Sequence, residues 1–218
     1  MYAMEKVIYC ISGLGVDEKV FDNLKLHGLP LQYIPWLQPE KKESMQAYAS
    51  RMARHINDPS PVLLGVSFGG MMGIEIAKQL AVQKLFIVSS IKSDEEMPKW
   101  MRVAGKIKLN KVLPSKPPYK LTERIDNHRL GVSNEQEKLM VRAYRKNADP
   151  VYLDWAIDKV LNWKNDWQPE KLVHIHGDKD RIFPIKKLNP THVVPEGTHM
   201  IVYNRAKEVA AFIKSEMQ

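Results

Sequence analysis

The sequence predicts an α/β fold with three layers, in which helices cover both faces of a mostly parallel central sheet. Short runs rich in valine, isoleucine and leucine alternate with segments whose apolar residues recur at helical spacing. Such alternation indicates βαβ units, and their right-handed crossovers bring the loops after the strands to one edge of the sheet. This rhythm stops between Ser90 and Lys171, where helical patterns and prolines predict a helical insertion.

The first predicted strand covers Lys6 to Ser12 and is followed by the turn Gly13-Leu14-Gly15. Its single cysteine, Cys10, lies inside this apolar run, which is typical of a small buried thiol. A second strand is predicted at Leu31 to Pro35. A helix follows from Ser44 to Ile56, with the hydroxyl of Ser44 as its N-terminal cap.

The stretch from Val62 to Gly73 reads VLLGVSFGGMMG, an apolar strand followed by a tight turn and a helix. Ser67 stands between Gly65 and Gly69, and a side chain at either glycine would collide with the neighbouring strand or helix. A serine held on such a turn is lifted above the end of the sheet in a strained backbone conformation, which costs about 1–3 kcal/mol. The apolar run from Lys84 to Ser90 predicts the next strand.

The predicted insertion carries helical patterns and most of the positive charge. Met97 to Leu109 places Trp100, Val103, Ala104 and Ile107 on one face, ahead of a break at Pro114, Pro117 and Pro118. Further helices are predicted after Ser133, which with Gln136 resembles a capping box, and from Pro150. Residues 92–165 contain 16 Lys and Arg against 10 Asp and Glu. This charge is typical of a solvated helix face, and the alternative is attraction of anionic or amphiphilic substrates or of an anionic membrane surface.

The aromatic and methionine residues of the insertion also have two interpretations. They either line an acyl pocket or pack the insertion against the sheet, which is the usual role of such residues at helical spacing. The residues concerned are Trp100, Met101, Met140, Trp155 and Trp163.

Two short strands near the C-terminus are each followed by a polar loop. Lys171 to Pro184 reads KLVHIHGDKDRIFP, a strand that ends at His176-Gly177 ahead of Asp180. Thr191 to Met200 reads THVVPEGTHM, a strand followed by Gly197 and His199. A final helix is predicted from Val202 to Met217, with an apolar face directed inward.

At these residues the chain resembles the α/β-hydrolase superfamily, which places a serine, an acid and a histidine in this order after successive strands. The resemblance implies that Ser67 is the nucleophile, Asp180 the acid and His199 the base. It also implies an oxyanion hole formed by two backbone amides, those of Leu14 and Phe68. Many members of the superfamily have a histidine before the first glycine of that loop, where this chain has Ser12.

Other residues compete for these roles. Asp178 lies two residues before Asp180, but the H-G-x-x-D spacing of the superfamily selects Asp180. Asp94 is the reserve acid, because some members carry the acid after the preceding strand. Other histidines lie in or at the ends of strands, where a hydrogen-bonded structural role is expected, namely His174, His176 and His192.

The resemblance implies a hydrolase core at residues 1–91 and 167–218 and a helical cap, or lid, at residues 92–166. It further implies a serine hydrolase that cleaves a small acyl ester or related carboxylic acid derivative through an acyl-enzyme, without a cofactor or a metal ion. Three alternatives remain at this stage: acyl transfer to an alcohol or amine, cofactor-free lyase chemistry, and a hydrolase-like shell that binds a small molecule with little turnover.

Composition limits the partners further. The 218 residues carry a net charge of +8, yet no basic and aromatic motif for nucleic-acid recognition accompanies it. The N-terminal run is broken by Gly13 and Gly15, so neither a signal peptide nor a membrane span is expected, and a cytoplasmic location is predicted. The expected partner is a small-molecule substrate, while the choice between monomer and homodimer stays open.

Overall fold

The computed structural model describes residues 6–108 and 119–218. Six parallel strands form one sheet in the order β2-β1-β3-β4-β5-β6. The strands are β1 Ile8–Ile11, β2 Leu31–Tyr33, β3 Val62–Val66, β4 Lys84–Val88, β5 Leu172–Gly177 and β6 His192–Val194. The helices in the described ranges are α1 Asp22–Leu26, α2 Met45–Ala53, α3 Phe68–Ala77, α4 Lys99–Lys106, α5 Tyr119–Leu130, α6 Glu135–Asn147, α7 Pro150–Asn162, α8 Ile201–Asn204 and α9 Ala206–Met217.

The sheet separates two hydrophobic cores, which confirms the predicted three layers. Successive residues of a strand point to opposite faces, so Ile11 of β1 packs with α2 and α3 whereas Cys10 packs with α1 and α9. The thiol of Cys10 is fully buried, as predicted, and burial raises its pKa to about 12. Parallel strands covered on both faces read as continuous apolar runs, which explains why β3 and β4 were recognisable from sequence.

The turn between β3 and α3 is strained, as its sequence predicts. Ser67 has φ 53° and ψ −119°, a conformation that residues other than glycine seldom adopt. A Cβ atom on Gly65 would lie 2.3 Å from the carbonyl oxygen of Gly69, and one on Gly69 would lie 2.3 Å from the carbonyl oxygen of Ile11. The two glycines therefore allow α3 to lie directly against the backbone of β1 and β3.

Four helices, α4 to α7, follow β4 and precede β5, and the described part of this insertion contains no strand. Its caps differ in one detail from the sequence prediction. The N-cap of α6 is Asn134, whose side chain accepts a hydrogen bond from the N–H of Glu137, rather than Ser133. Helix α7 begins at Pro150, as predicted. The predicted break at Pro114, Pro117 and Pro118 lies outside the described residues.

The buried face of α4 also differs from the prediction. Of the four residues that the helical pattern places on one face, Ala104 is buried, whereas Trp100, Val103 and Ile107 are exposed. Met101 and Gly105 are buried as well. Gly105 allows a close approach to α7, because a Cβ atom there would lie 2.4 Å from the carbonyl oxygen of Leu161. The buried face of α4 is therefore the one on which Gly105 allows the backbones of α4 and α7 to come close.

Buried hydrogen bonds join the insertion to the sheet domain. The indole N–H of Trp163 donates to Oε1 of Glu75 on α3 over 2.9 Å, and Glu75 is fully buried. The indole N–H of Trp155 on α7 donates to the carbonyl oxygen of Glu43. Both tryptophans therefore pack the insertion against the core. Across the described ranges, no helix has the length and apolar character needed to span a membrane.

Candidate active site

The carboxyl ends of β3, β5 and β6 bring three polar side chains together. Oγ of Ser67 lies 3.0 Å from Nε2 of His199, and Nδ1 of His199 lies 2.7 Å from Oδ2 of Asp180. Loops that follow parallel strands meet at one edge of the sheet, which is why residues 132 positions apart can touch. These three residues, called the Ser67–His199–Asp180 group below, are those selected from the sequence.

The proton positions in this group follow from the chemistry of the acid. An ionised carboxylate only accepts hydrogen bonds, so Nδ1–H of His199 donates to Asp180. Nε2 of His199 then carries the lone pair and accepts the hydrogen bond from the hydroxyl of Ser67. In this arrangement the imidazole can remove the proton of Ser67.

Asp180 is 4 % exposed and is held in place by backbone donors. Its Oδ1 accepts hydrogen bonds from the N–H groups of Ile182 at 2.8 Å and Phe183 at 3.0 Å. Burial raises the pKa of Asp180, but the interaction with His199 and the backbone hydrogen bonds outweigh burial, so that its pKa lies below the ordinary value. Asp180 is therefore a stable anion beside the imidazole.

A pair of hydrogen-bonded histidines on β5 lies behind Asp180. Nε2–H of His176 donates to the carbonyl oxygen of Phe183 over 2.8 Å and is 3.4 Å from Oδ2 of Asp180. Because this fixes the tautomer of His176, its Nδ1 accepts the hydrogen bond from Nε2–H of His174 at 3.2 Å. The sequence predicts a hydrogen-bonded structural role for each of these histidines but not their pairing behind Asp180, although the i, i+2 spacing on β5 places both rings on one face of the sheet.

Both histidines are held neutral. Burial lowers the pKa of His174 to about 3, with a further contribution from His176, and burial also lowers the pKa of His176. A neutral His176 supports the carbonyl group of Phe183 through its hydrogen bond. The predicted structural role of these two histidines agrees with this geometry.

The competing residues lie elsewhere. Asp94 accepts hydrogen bonds from Nζ of Lys164 at 2.7 Å and from the N–H of Asn165, and the bond from Lys164 lowers its pKa. His192 bonds to Oε1 of Glu216 at 2.9 Å. Asp178 is half-buried, and its Oδ1 has no hydrogen-bond partner among the described residues. Of the candidate acids, Asp180 is the one in contact with His199.

The two segments expected to supply the amide donors lie next to Ser67. Phe68 is the first residue of α3, so its N–H has no partner within the helix. Gly13 precedes Leu14, and a Cβ atom on Gly13 would lie 3.5 Å from Cβ of Ser67. The loop that carries the N–H of Leu14 is thus in contact with the serine.

A largely apolar cavity of about 300 Å³ opens onto Ser67 and His199. The core contributes Leu14, Phe68 and Phe183 to its wall. The insertion contributes Met101, Leu130, Met140, Val141, Tyr144 and Val160. Its size and apolar lining are typical of a small-molecule site. Of the five residues with two interpretations, Met101 and Met140 line this cavity, whereas Trp100 is exposed and stacks beneath the guanidinium of Arg129.

Comparisons with solved structures identify the architecture. An esterase from Thermogutta terrifontis aligns with a TM-score of 0.74 and 15 % identity over 97 % of this chain and 89 % of its own. The chain has the α/β-hydrolase fold. An N-acyl homoserine lactonase aligns with a TM-score of 0.71 and 15 % identity over 99 % of this chain and 90 % of its own. An epoxide hydrolase from Bacillus megaterium aligns with a TM-score of 0.68 and 13 % identity over 97 % of this chain and 93 % of its own.

Sequence comparison is less informative than structure for this example of the α/β-hydrolase fold. No protein-family profile matches the chain, and a search of the curated proteins finds no match.

The part of the chain that the structure describes contains no group of three or more histidine, cysteine and carboxylate side chains arranged to hold a metal ion.

The buried His174 is expected to make stability depend on pH. Its pKa of about 3 in the folded state lies below the ordinary value of about 6.5, so the unfolded state binds the extra proton between these values. The free energy of unfolding of the wild type should therefore fall with decreasing pH below 6.5, by up to about 1.4 kcal/mol per pH unit from this group.

The measurement is urea denaturation of wild type and His174→Gln between pH 7 and pH 4. Glutamine keeps an N–H donor for His176 but does not titrate, so the variant should lose stability less steeply. Equal slopes in the two proteins would contradict the neutral state of His174. The m-value serves as the control, because it should stay constant if both proteins unfold in two states.

Proposed function

We propose that the protein is a serine hydrolase that cleaves a small acyl ester, or a related carboxylic acid derivative such as a lactone. The observation that carries the proposal is the Ser67–His199–Asp180 group, with contacts of 3.0 Å and 2.7 Å, at the mouth of an apolar cavity of about 300 Å³. The α/β-hydrolase fold supports it, since the similar structures include an esterase and an N-acyl homoserine lactonase.

In the proposed reaction, Oγ of Ser67 attacks the acyl carbon while Nε2 of His199 takes its proton. Asp180 holds the imidazole in the required tautomer and stabilises its charged form. His199 then donates the proton to the leaving group, which departs and leaves an acyl group on Ser67. Water, activated by the same imidazole, releases the acid and restores the serine.

Negative charge develops on the carbonyl oxygen of the substrate in both steps. The N–H groups of Leu14 and Phe68 are proposed to bind this oxygen. Both are backbone donors with fixed positions, so they need no rearrangement as the charge forms. A typical donor of this kind contributes about 3 kcal/mol to stabilisation of the transition state.

The helical insertion is proposed to act as a cap that binds the acyl group. Six residues in the described part of the insertion line the cavity, and none of these six carries a charge. An apolar wall favours an acyl chain through burial of its methylene groups, at about 0.8 kcal/mol each. Within the described part of the insertion, no basic residue lines this cavity, so the proposal does not include an anionic acyl group.

The role of Ser67 is tested with Ser67→Ala. Turnover of p-nitrophenyl butyrate should fall by about three orders of magnitude or more, because no nucleophile remains to form the acyl-enzyme. Wild type should react covalently with a fluorophosphonate probe, and Ser67→Ala should not. Ser60→Ala, at an exposed serine, is the matched control and should retain both properties. Undiminished turnover by Ser67→Ala would overturn the proposed mechanism.

The choice of acid is tested by comparing Asp180→Asn, Asp178→Asn and Asp94→Asn. The value of kcat should fall by about 10³- to 10⁴-fold in Asp180→Asn alone, because an amide at this position stabilises the wrong tautomer of His199. The other two aspartates do not contact the imidazole, so their variants should stay within a few-fold of wild type. A larger loss at residue 178 or 94 would show that the acid is misassigned.

The acyl-binding role of the insertion is tested with Val141→Trp, which fills part of the cavity. The ratio of kcat/KM for octanoate over acetate esters should fall by at least about tenfold, because the longer chain no longer fits. Leu139→Trp is the matched control, since Leu139 lies on the same helix but is 60 % exposed. A ratio that stays the same in Val141→Trp would mean that the acyl chain binds outside this cavity.

A further inference from the structure

The hydroxyl of Ser12, at the end of β1, is the centre of a buried hydrogen-bond cluster. Ser12 has no exposed surface. Its Oγ lies 2.5 Å from the carbonyl oxygen of Val16, 3.0 Å from Nε1 of Trp36 and 3.2 Å from the hydroxyl of Tyr33. The cluster joins two segments of the chain, residues 12–16 and 33–36.

The direction of each hydrogen bond follows from the groups involved. A carbonyl oxygen only accepts, so the hydroxyl proton of Ser12 is donated to Val16. An indole N–H only donates, so Trp36 donates to Ser12. With its single proton committed, Ser12 can only accept from Tyr33. Its oxygen therefore donates one hydrogen bond and accepts two, which uses its full capacity.

The bond to Val16 closes the loop that carries the N–H of Leu14. The N–H of Val16 also donates to the carbonyl oxygen of Gly13 over 3.2 Å, so the loop is a compact turn. The catalytic cavity borders this loop at Gly13, Leu14 and Val16, and a second cavity of about 320 Å³ borders it at Gly15 and Val16. Leu14 and Val16 pack against the two cores, and the hydrogen bonds of Ser12 and Val16 add a directional constraint on a loop that lies between two cavities.

The same hydroxyl is also connected, through Trp36, to Phe68, the residue of the other amide donor. The indole ring of Trp36 stacks on the ring of Phe68 at a centroid distance of 5.1 Å and an interplanar angle of 6°. The backbone of Ser12 touches the start of α3 as well, because a Cβ atom on Gly69 would lie 2.4 Å from its carbonyl oxygen. Ser12 is therefore connected to the loop of Leu14 on one side and to Phe68 on the other.

We infer that Ser12 is a positioning residue, which sets the separation of the two amide donors that bind the oxyanion. The inference rests on the proposed function. It gives the hydroxyl of the residue before the first glycine of the loop a role in positioning the amide donors. Loss of this hydroxyl should weaken binding of the transition state rather than binding of the substrate. Removal of the hydroxyl frees the loop, and a displacement of a donor by about 1 Å is enough to lower the rate about 100-fold.

The test compares wild type with Ser12→Ala in ester hydrolysis and in binding of a trifluoromethyl ketone, whose adduct with Ser67 carries an oxyanion. In Ser12→Ala, kcat should fall about 100-fold and the inhibition constant of the ketone should rise by a similar factor, while KM changes less than about threefold. Tyr33→Phe keeps the bond from Ser12 to Val16 and should stay within about threefold of wild type.

Ser89→Ala is the matched control, since Ser89 is a fully buried serine whose hydroxyl has no partner among the described residues. It should leave kcat and ketone binding unchanged. Wild-type values of both in Ser12→Ala would overturn the inference, and so would a loss of kcat with unaltered ketone binding. If Ser12→Ala does not fold, Trp36→Phe decides: about tenfold losses of kcat and ketone affinity at constant KM support the inference, and unchanged values overturn it.

These outcomes are distinct from failure of the proposed function. Wild-type protein that neither reacts with a fluorophosphonate nor hydrolyses any ester, thioester, amide or lactone would overturn the hydrolase proposal itself. Wild-type protein that hydrolyses esters through Ser67, together with an equally active Ser12→Ala, would overturn only the positioning role of Ser12.

Discussion

The backbone conformation of Ser67 is the constraint on which the rest of the structure depends. With φ at 53° the residue costs about 1–3 kcal/mol, and it is held by its neighbours in the sheet. Its N–H donates to the carbonyl oxygen of Val88 over 2.9 Å, and its carbonyl oxygen accepts from Oγ of Ser90 at 2.7 Å. At Gly65 and Gly69 the neighbouring backbone leaves no space for a side chain. The close packing of α3 against the sheet therefore keeps the half-buried hydroxyl at the wall of the cavity.

A second requirement is the compensation of a buried charge. Taking a carboxylate out of water costs several kcal/mol, and an isolated buried aspartate would bind a proton instead. Asp180 avoids this because two backbone N–H groups and His199 donate to it. The loop after β5 supplies these donors, and His176 holds the carbonyl group of Phe183 at its end. Burial of the Asp180 carboxylate thus depends on an ordered loop after β5.

In the helical insertion, helical periodicity identifies the helices but does not determine which of their faces are buried. The spacing in α4 identifies a helix with an apolar face, but the structure buries Met101 and Gly105 and leaves Trp100 at the surface. Helix α4 carries apolar residues on more than one side. The side that is buried depends on how α4 packs against the neighbouring helix α7. The tryptophans of α7 and its C-terminal end pack as periodicity suggests, because their N–H groups find buried acceptors on the core.

The sequence by itself determined the order of strands and helices and the strained turn at Ser67, because glycine spacing and apolar periodicity are local properties of the chain. The choice of Asp180 and His199 came from the resemblance of their strand-and-loop segments to the α/β-hydrolase superfamily. Contacts between distant segments were decided only by the tertiary structure. These are the hydrogen bonds of Ser12 with Val16 and Trp36, the pair of His174 and His176 behind the acid, and the buried face of α4. No local pattern encodes them, since the separation of two buried polar groups depends on how whole elements pack.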